Sequence, residues 1–219
     1  MSVPRHVLVL GAGGGSGRQV VSAALRAGHR VTAGVRDPDR FRALGLGADL
    51  DEDRRPVVAR VDVRDGESLA PAVEGQDVVV FAAGPPGRRA EALYSDGARA
   101  TVAAMERCGV ERFIGITSAG VRDDDPELAL WYRVLVRPLL RELYADMRAM
   151  ERTVRASSLD WTFVRPVLLL DRDPTGTYRV LDGTTPARGR TITRADLAAF
   201  VVGEVDRPRW SRRSPTLAQ

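Results

Sequence analysis

The segment "VLVLGAGGGSG", residues 7 to 17, sets an apolar run directly against a cluster of glycines. Glycine is costly to order, so such a cluster where a helix is about to begin needs a reason. One reason is an anion. The free N–H groups and dipole of a helix N-terminus hold phosphate, and glycine lets that phosphate approach the backbone. Gly11, Gly14 and Gly17 satisfy GxxGxxG, and Gly11, Gly15 and Gly17 satisfy GxxxGxG. GxGxxG fails, because Ser16 stands where its last glycine belongs. After the first strand of an alternating pattern, this spacing suits a dinucleotide pyrophosphate. A merely flexible turn is the plain alternative.

The stretch "RVTAGVRDPDR" bears on which dinucleotide. An acid at the end of a second strand accepts from the ribose hydroxyls and selects NAD, whereas an arginine pairs with the 2′-phosphate of NADP. Here the strand ends in Arg36, with Arg40 close behind and Asp37 between them. NADPH is favoured over NADH on that ground, against the alternative of two ordinary surface arginines.

A proton donor is harder to find. Every basic residue except the two histidines is arginine, so no Schiff base, no phosphate-loop lysine and no lysine-assisted tyrosine can form. Ser118 closes the run "FIGITS", and Tyr144 has Arg148 four positions on. Leu140, Leu143, Met147, Met150 and Val154 recur at helical spacing as one apolar stripe. Tyr144, Arg148, Glu151 and Arg155 form the polar stripe beside it, which predicts a surface or rim position for Tyr144. Tyr132 is a second candidate, with Val136 four residues later.

The elements that must position these residues follow from periodicity. Strands are expected over Val7–Leu10, Arg30–Val35, Val57–Val61, Asp77–Ala82, Arg112–Thr117 and Thr162–Arg165. Helices are expected over Gly17–Ala27, Ser68–Val73, Arg89–Cys108 and Leu128–Arg155. "GTYRVLDG" reads as a short strand, and "TRADLAAFVVGEV" as a closing helix capped by Thr193. Continuous apolar strands alternating with helices predict an α/β fold: one doubly wound parallel sheet of Rossmann type, helices on both faces.

At 219 residues, 44% hydrophobic and 28% charged, the chain is expected to form one domain over 1–219. Its small substrate-side region would come from about 119–140 and 167–192. The longest apolar runs, such as Val78–Ala83, are too short for a bilayer, and "MSVPRHVLV" lacks the pattern of a signal peptide. The single cysteine, Cys108, precludes an internal disulfide, and a cytoplasmic location is expected. The net charge is +4, yet most arginines are interleaved with acids and only "RPRWSRRSP" is a basic cluster. A small-molecule substrate is expected rather than nucleic acid or membrane, in a monomer or small homo-oligomer. Two histidines and one cysteine make no metal site; His6 and His29 read as structural, Cys108 as buried, and Trp161 and Phe81 as core.

"GAGGGSG", "GHRVTAGVRDPDR", "VDVRDGESLAPAVEGQDVVVFAAG", "GVERFIGITSAGV", "ASSLDWTFVRP", "TGTYRV" and "TITRADLAAF" occur in an order and spacing that covers nearly the whole chain. The set resembles the atypical short-chain dehydrogenase/reductase family of NAD(P)H-binding proteins. Within it the set is similar to the biliverdin-IXβ reductase/flavin reductase group and, more distantly, to NmrA-like proteins. The resemblance implies that Gly11, Gly14, Gly15, Ser16 and Gly17 cradle the pyrophosphate and that Arg36 reads the 2′-phosphate. It implies that Asp62 and Val63 flank the adenine, although an acid there also serves as a turn or cap residue. It further implies that Ala82, Ala83 and Gly84 line the ribose, and that Thr117 and Ser118 lie beside the nicotinamide. Arg165, Pro166 and Val167 would carry the backbone past the carboxamide. The family's usual tyrosine and lysine positions fall on Leu143 and Met147, one residue before Tyr144 and Arg148.

A ketone reductase must protonate a developing alkoxide, whereas a conjugated acceptor delocalises the charge and takes its proton from solvent. With Ser118 as the clear polar group, the expectation is an NADPH-dependent reductase of flavin-like, quinone-like or other conjugated small molecules. The alternatives are a non-catalytic NADP-binding sensor of the NmrA type and an isomerase or tailoring enzyme on the same fold.

Overall fold

The computed structural model describes residues 3–87, 89–127 and 132–219. Six strands follow the expected order: β1 His6–Leu10, β2 Arg30–Val35, β3 Val57–Arg60, β4 Val78–Phe81, β5 Arg112–Ile116 and β6 Asp160–Pro166. Leu168–Leu170 (β7) pairs separately with Thr191–Thr193 (β9), while Arg179–Asp182 (β8) and Pro215–Ala218 (β10) join the main sheet. That sheet runs β3-β2-β1-β4-β5-β6-β10-β8. Its pairings are parallel except that β8 runs antiparallel to β10. The order reverses between β1 and β4, the switch point where ligands bind in doubly wound sheets.

Alternation along the strands divides the core. Leu8, Leu10, Phe81, Phe113 and Phe163 face α3 (Gly66–Val73), α4 (Leu93–Cys108) and α5 (Arg141–Arg155). Val7, Val9, Val80, Ile114 and Val164 face α1 (Gly15–Arg26) and α6 (Arg194–Asp206). Successive side chains of a strand point to opposite faces, so a strand covered on both must be apolar throughout. The four residues of β4 and the last four of β1 are buried accordingly.

Several boundaries differ from expectation. The helix expected over 128–155 starts as α5 at Arg141, after a π-turn over Tyr132–Val136 and a 3₁₀ turn over Pro138–Leu140. Pro138 cannot donate a backbone hydrogen bond and its ring clashes with the preceding turn. The first residues of that expected helix, 128–131, lie outside the described residues, as does 88. The helix expected from Arg89 begins as α4 at Leu93, because Glu91 and Ala92 take positive φ angles of 48° and 58°. Asp146 of α5 then accepts from the Tyr94 and Ser95 N–H groups at 2.8 and 3.1 Å, replacing a local cap. Conversely, α1 begins two residues before the expected Gly17.

The chain's end is the larger surprise. Pro215–Ala218 follows the basic cluster and inserts beside β6 as a fully buried strand. Cys108 is half-buried rather than buried, its Sγ 3.9 Å from the Ala70 carbonyl. Trp161 and Phe81 are core, and His29 is buried, with the Arg5 N–H donating to its Nδ1 at 3.2 Å. No described helix is long and apolar enough to cross a membrane.

Candidate functional site

Because β1 to β6 are parallel, the residues after each strand gather along one edge of the sheet. Gly11 follows β1, Arg36 follows β2, Asp62 and Val63 lie just past β3, Ala82 follows β4, Thr117 follows β5, and Pro166 ends β6. The structure therefore lines these strand-end residues along a single rim.

The glycines of the first loop serve different ends. Gly11 has φ +77°, and a Cβ there would stand 2.5 Å from the Ala83 Cα across the switch point. A side chain at Gly17 would run into the Gly11 carbonyl, so this glycine lets α1 sit down on the loop. Gly14 is extended, with φ −76° and ψ 167°, a conformation open to any residue. A Cβ on it would meet only the Gly11 carbonyl at 3.3 Å. Gly14 provides no side-chain cap, and the first turn of α1, which includes Gly15, Ser16 and Gly17, holds no acid. The N-terminal N–H groups are thus left to an outside acceptor.

Arg36 is exposed and makes no hydrogen bond or ion pair among the described residues. Asp37 is occupied: its carboxylate caps the five-residue helix α2 (Pro38–Arg42), accepting from the Arg40 N–H at 3.0 Å. The acid next to Arg36 therefore serves as a helix cap. Asp62 Oδ1 accepts from the Arg64 N–H at 3.0 Å, a turn role, while Val63 beside it is buried. Ala82 and Ala83 are half-buried, and Gly84 is exposed.

Thr117 is buried and donates its hydroxyl to Glu151 Oε1 at 3.0 Å. Ser118 is half-buried; its Oγ accepts from the Gly120 N–H at 3.2 Å, which leaves its O–H to donate elsewhere. At the β6 end, Pro166 has no N–H and that of Val167 goes to the Leu217 carbonyl at 3.3 Å. Contacts from this backbone must come from carbonyl oxygens. The Arg165 side chain points into the protein, its Nε donating to Glu151 Oε1 at 3.0 Å.

The placement expected for Tyr144 is corrected. Its side chain is buried, not at a rim, and its hydroxyl lies 2.6 Å from where a Cβ on Gly120 would stand. The phenol is also hydrogen-bonded to that of Tyr132. Burial first, then the bond to Tyr144, pushes the Tyr132 phenol well above its ordinary value. Burial, with Asp146 and Tyr144 nearby, does the same to Tyr94. Arg148 is directed away, donating to the Val121 carbonyl and Asp123 at 3.1 and 3.0 Å. Met147, where the family places its lysine, is buried.

Sequence reasoning missed Glu151 and Gly120. Glu151 belongs to the polar stripe of α5, yet it is buried and binds Thr117, Arg165 and, at 3.3 Å, Arg155. An acid between Arg148 and Arg155 was its only local signal. Gly120 is needed because any side chain there would collide with the Tyr144 ring, a contact no spacing rule reveals.

The NAD(P)H-binding family model matches residues 11–208. A curated relative, UPF0659 protein YMR090W of Saccharomyces cerevisiae, is 30% identical over 217 residues, covering 94% of this chain and 88% of its own. Among solved structures, a short-chain dehydrogenase/reductase of Veillonella parvula in complex with NADP has TM-score 0.81 at 18% identity, covering 99% and 95% of the two chains. ChuY, an anaerobillin reductase of Escherichia coli O157:H7, has TM-score 0.77 at 24% identity, covering 97% and 96%.

Proposed function

From the premise that this chain belongs to the NAD(P)H-binding family, we propose that it is an NADPH-dependent reductase of flavin-like, quinone-like or other conjugated small molecules. The residues suit a dinucleotide. Gly14 leaves the backbone before α1 uncrowded, and the first turn of α1 has no side-chain cap and no competing acid. Gly14, Gly15, Ser16 and Gly17 hold the pyrophosphate, and Arg36 pairs with the 2′-phosphate. Asp62 accepts from the adenine amino group with the oxygen its turn leaves over, and Val63 packs against the ring. Ala82, Ala83 and Gly84 line the ribose, and carbonyl oxygens near Pro166 and Val167 accept from the carboxamide.

When bound, NADPH supplies a hydride to the acceptor. Ser118, beside the buried Thr117, orients the acceptor with its free O–H. The observation that carries the choice of acceptor is the Tyr144–Tyr132 pair. Tyr144 bonds the phenol of Tyr132, and Arg148 is turned away to the Val121 carbonyl and Asp123. Tyr144 thus lacks the Arg148 cation that would ready a phenol to protonate an alkoxide. A conjugated acceptor avoids that demand: the hydride's electron pair moves into the ring system and solvent supplies the proton. The protein then contributes proximity and orientation.

NADPH oxidation against FMN, riboflavin, quinones, a linear tetrapyrrole and simple carbonyls tests the proposal. Turnover confined to the conjugated compounds is expected. Turnover confined to carbonyls overturns it, and tight NADPH binding with no turnover on any acceptor supports the sensor reading instead.

A further inference from the structure

Arg194, the first residue of α6, lies across the start of α1. A Cβ on Gly15 would stand 2.7 Å from Arg194 Nε. Gly15 has no positive φ requiring glycine, so what its missing side chain provides is room for this guanidinium. Two of the guanidinium's donors, Nε and Nη1, are buried with no hydrogen-bond partner among the described residues. Buried donors are seldom left that way.

The nearest anion is Asp171, whose Oδ1 is 3.6 Å from Arg194 Nε and 4.0 Å from Arg18 Nη2. Both separations exceed hydrogen-bond length. The Asp171 side chain is 65% exposed, against 24% for Arg194. The acid is thus a loose, solvated counter-charge to a guanidinium fixed against the loop. A cleft of about 690 Å³ opens at this point, its lining setting Arg18, Arg172 and Arg194 against Asp171 and Asp173.

We infer that Arg194 is a pyrophosphate anchor of this site, and that Asp171 stands in for the phosphate until a dinucleotide displaces it. The inference rests on the dinucleotide reading above. In a chain without lysine, a planar guanidinium beside the free N–H groups of α1 supplies the positive charge at the phosphates. Unlike Arg36, it serves a group that NADPH and NADH share.

Fragment binding by calorimetry separates the two arginines. ADP-ribose carries the pyrophosphate without a 2′-phosphate; 2′-AMP carries the 2′-phosphate without a pyrophosphate. Arg194→Ala is expected to weaken ADP-ribose, NADH and NADPH alike, by about ten-fold or more, and to leave 2′-AMP unchanged. Unchanged ADP-ribose affinity overturns the anchor. If Arg194→Ala disturbs the fold and both fragments are lost, Asp171→Ala decides, since Asp171 is solvated and its removal frees the guanidinium. Tighter ADP-ribose binding by Asp171→Ala supports the anchor, and equal or weaker binding overturns it. Wild-type protein that binds no dinucleotide refutes the dinucleotide reading and the anchor together; wild-type binding that Arg194→Ala leaves intact refutes the anchor alone.

Discussion

Glu151 of α5 and Arg165 of β6 form a buried ion pair, with Arg165 Nε donating to Oε1 at 3.0 Å and Nη2 to Oε2. Their side chains are only 5% and 10% exposed. Thr117 donates to the same carboxylate, so the pair ties α5 to the ends of β5 and β6, next to Ser118. Removing one member of a buried pair leaves the other charge without compensation, at a cost of about 3–5 kcal/mol. Glu151→Ala is expected to lower the melting temperature by roughly 10 °C; calorimetry showing a shift near zero would remove this pair from the supports of the site.

Gly14 and Gly11 separate ligand binding from folding. Gly14→Val meets only a 3.3 Å approach to the Gly11 carbonyl in an extended backbone, so the fold should survive. Its side chain would occupy the space assigned to the pyrophosphate, and NADPH binding measured by fluorescence should be lost. Gly11→Ala combines positive φ with a 2.5 Å approach to Ala83 and should reduce the yield of folded protein, read by circular dichroism. Unaltered NADPH affinity in folded Gly14→Val contradicts the cradle.

Arg36→Ala should discriminate between cofactors. Arg36 has no partner among the described residues, so its loss costs the fold nothing. A charge-assisted bidentate contact contributes roughly 1.5–3 kcal/mol, or about ten-fold and more in affinity. NADPH binding should weaken by that factor while NADH binding barely changes. Equal losses for both would mean that Arg36 does not read the 2′-phosphate.

Asp196 supplies a pH dependence. Burial raises its carboxyl, but hydrogen bonds from the Thr175 N–H, the Thr193 hydroxyl, the Gly176 N–H and the Thr175 hydroxyl outweigh this and hold it below its ordinary value. Stability from a depressed carboxyl is fully present above the unfolded value, about pH 3.9, and is lost as pH falls through the folded one. Asp196→Asn should therefore cost most above about pH 5, on the order of 1–3 kcal/mol, and less toward pH 3. Urea midpoints across that range check it, and a constant difference would contradict the assignment.

How far the sequence can be read depends on where each residue's partners lie. β1 to β6 were visible because burial on both faces demands uninterrupted apolar runs such as Val78–Phe81. The last strand, Pro215–Ala218, was not: four residues after an arginine cluster carry no pattern, and pairing with distant β6 and β8 buries them. Asp37 could be seen beside Arg36, but its use as a cap depends on local geometry. Glu151 and Tyr144 show the same limit. Periodicity sorts apolar from polar faces, and their polar face turns inward because Arg165, Thr117 and Tyr132 await it there.

The sharpest test concerns the proton. Tyr144→Phe keeps the ring packed over Gly120 and removes only the hydroxyl shared with Tyr132. If the acceptor delocalises the incoming charge, single-turnover rates with FMN at saturating NADPH should barely change. A positioned acid contributes about 10²–10⁴-fold, so a loss of that size would make Tyr144 the proton donor despite its distance of one residue from the family position. Ser118→Ala should lower the rate modestly, because Ser118 orients the acceptor and does not protonate it. A crippled Tyr144→Phe beside an unaffected Ser118→Ala would overturn the mechanism, since it would give the phenol the role assigned to solvent and the serine none.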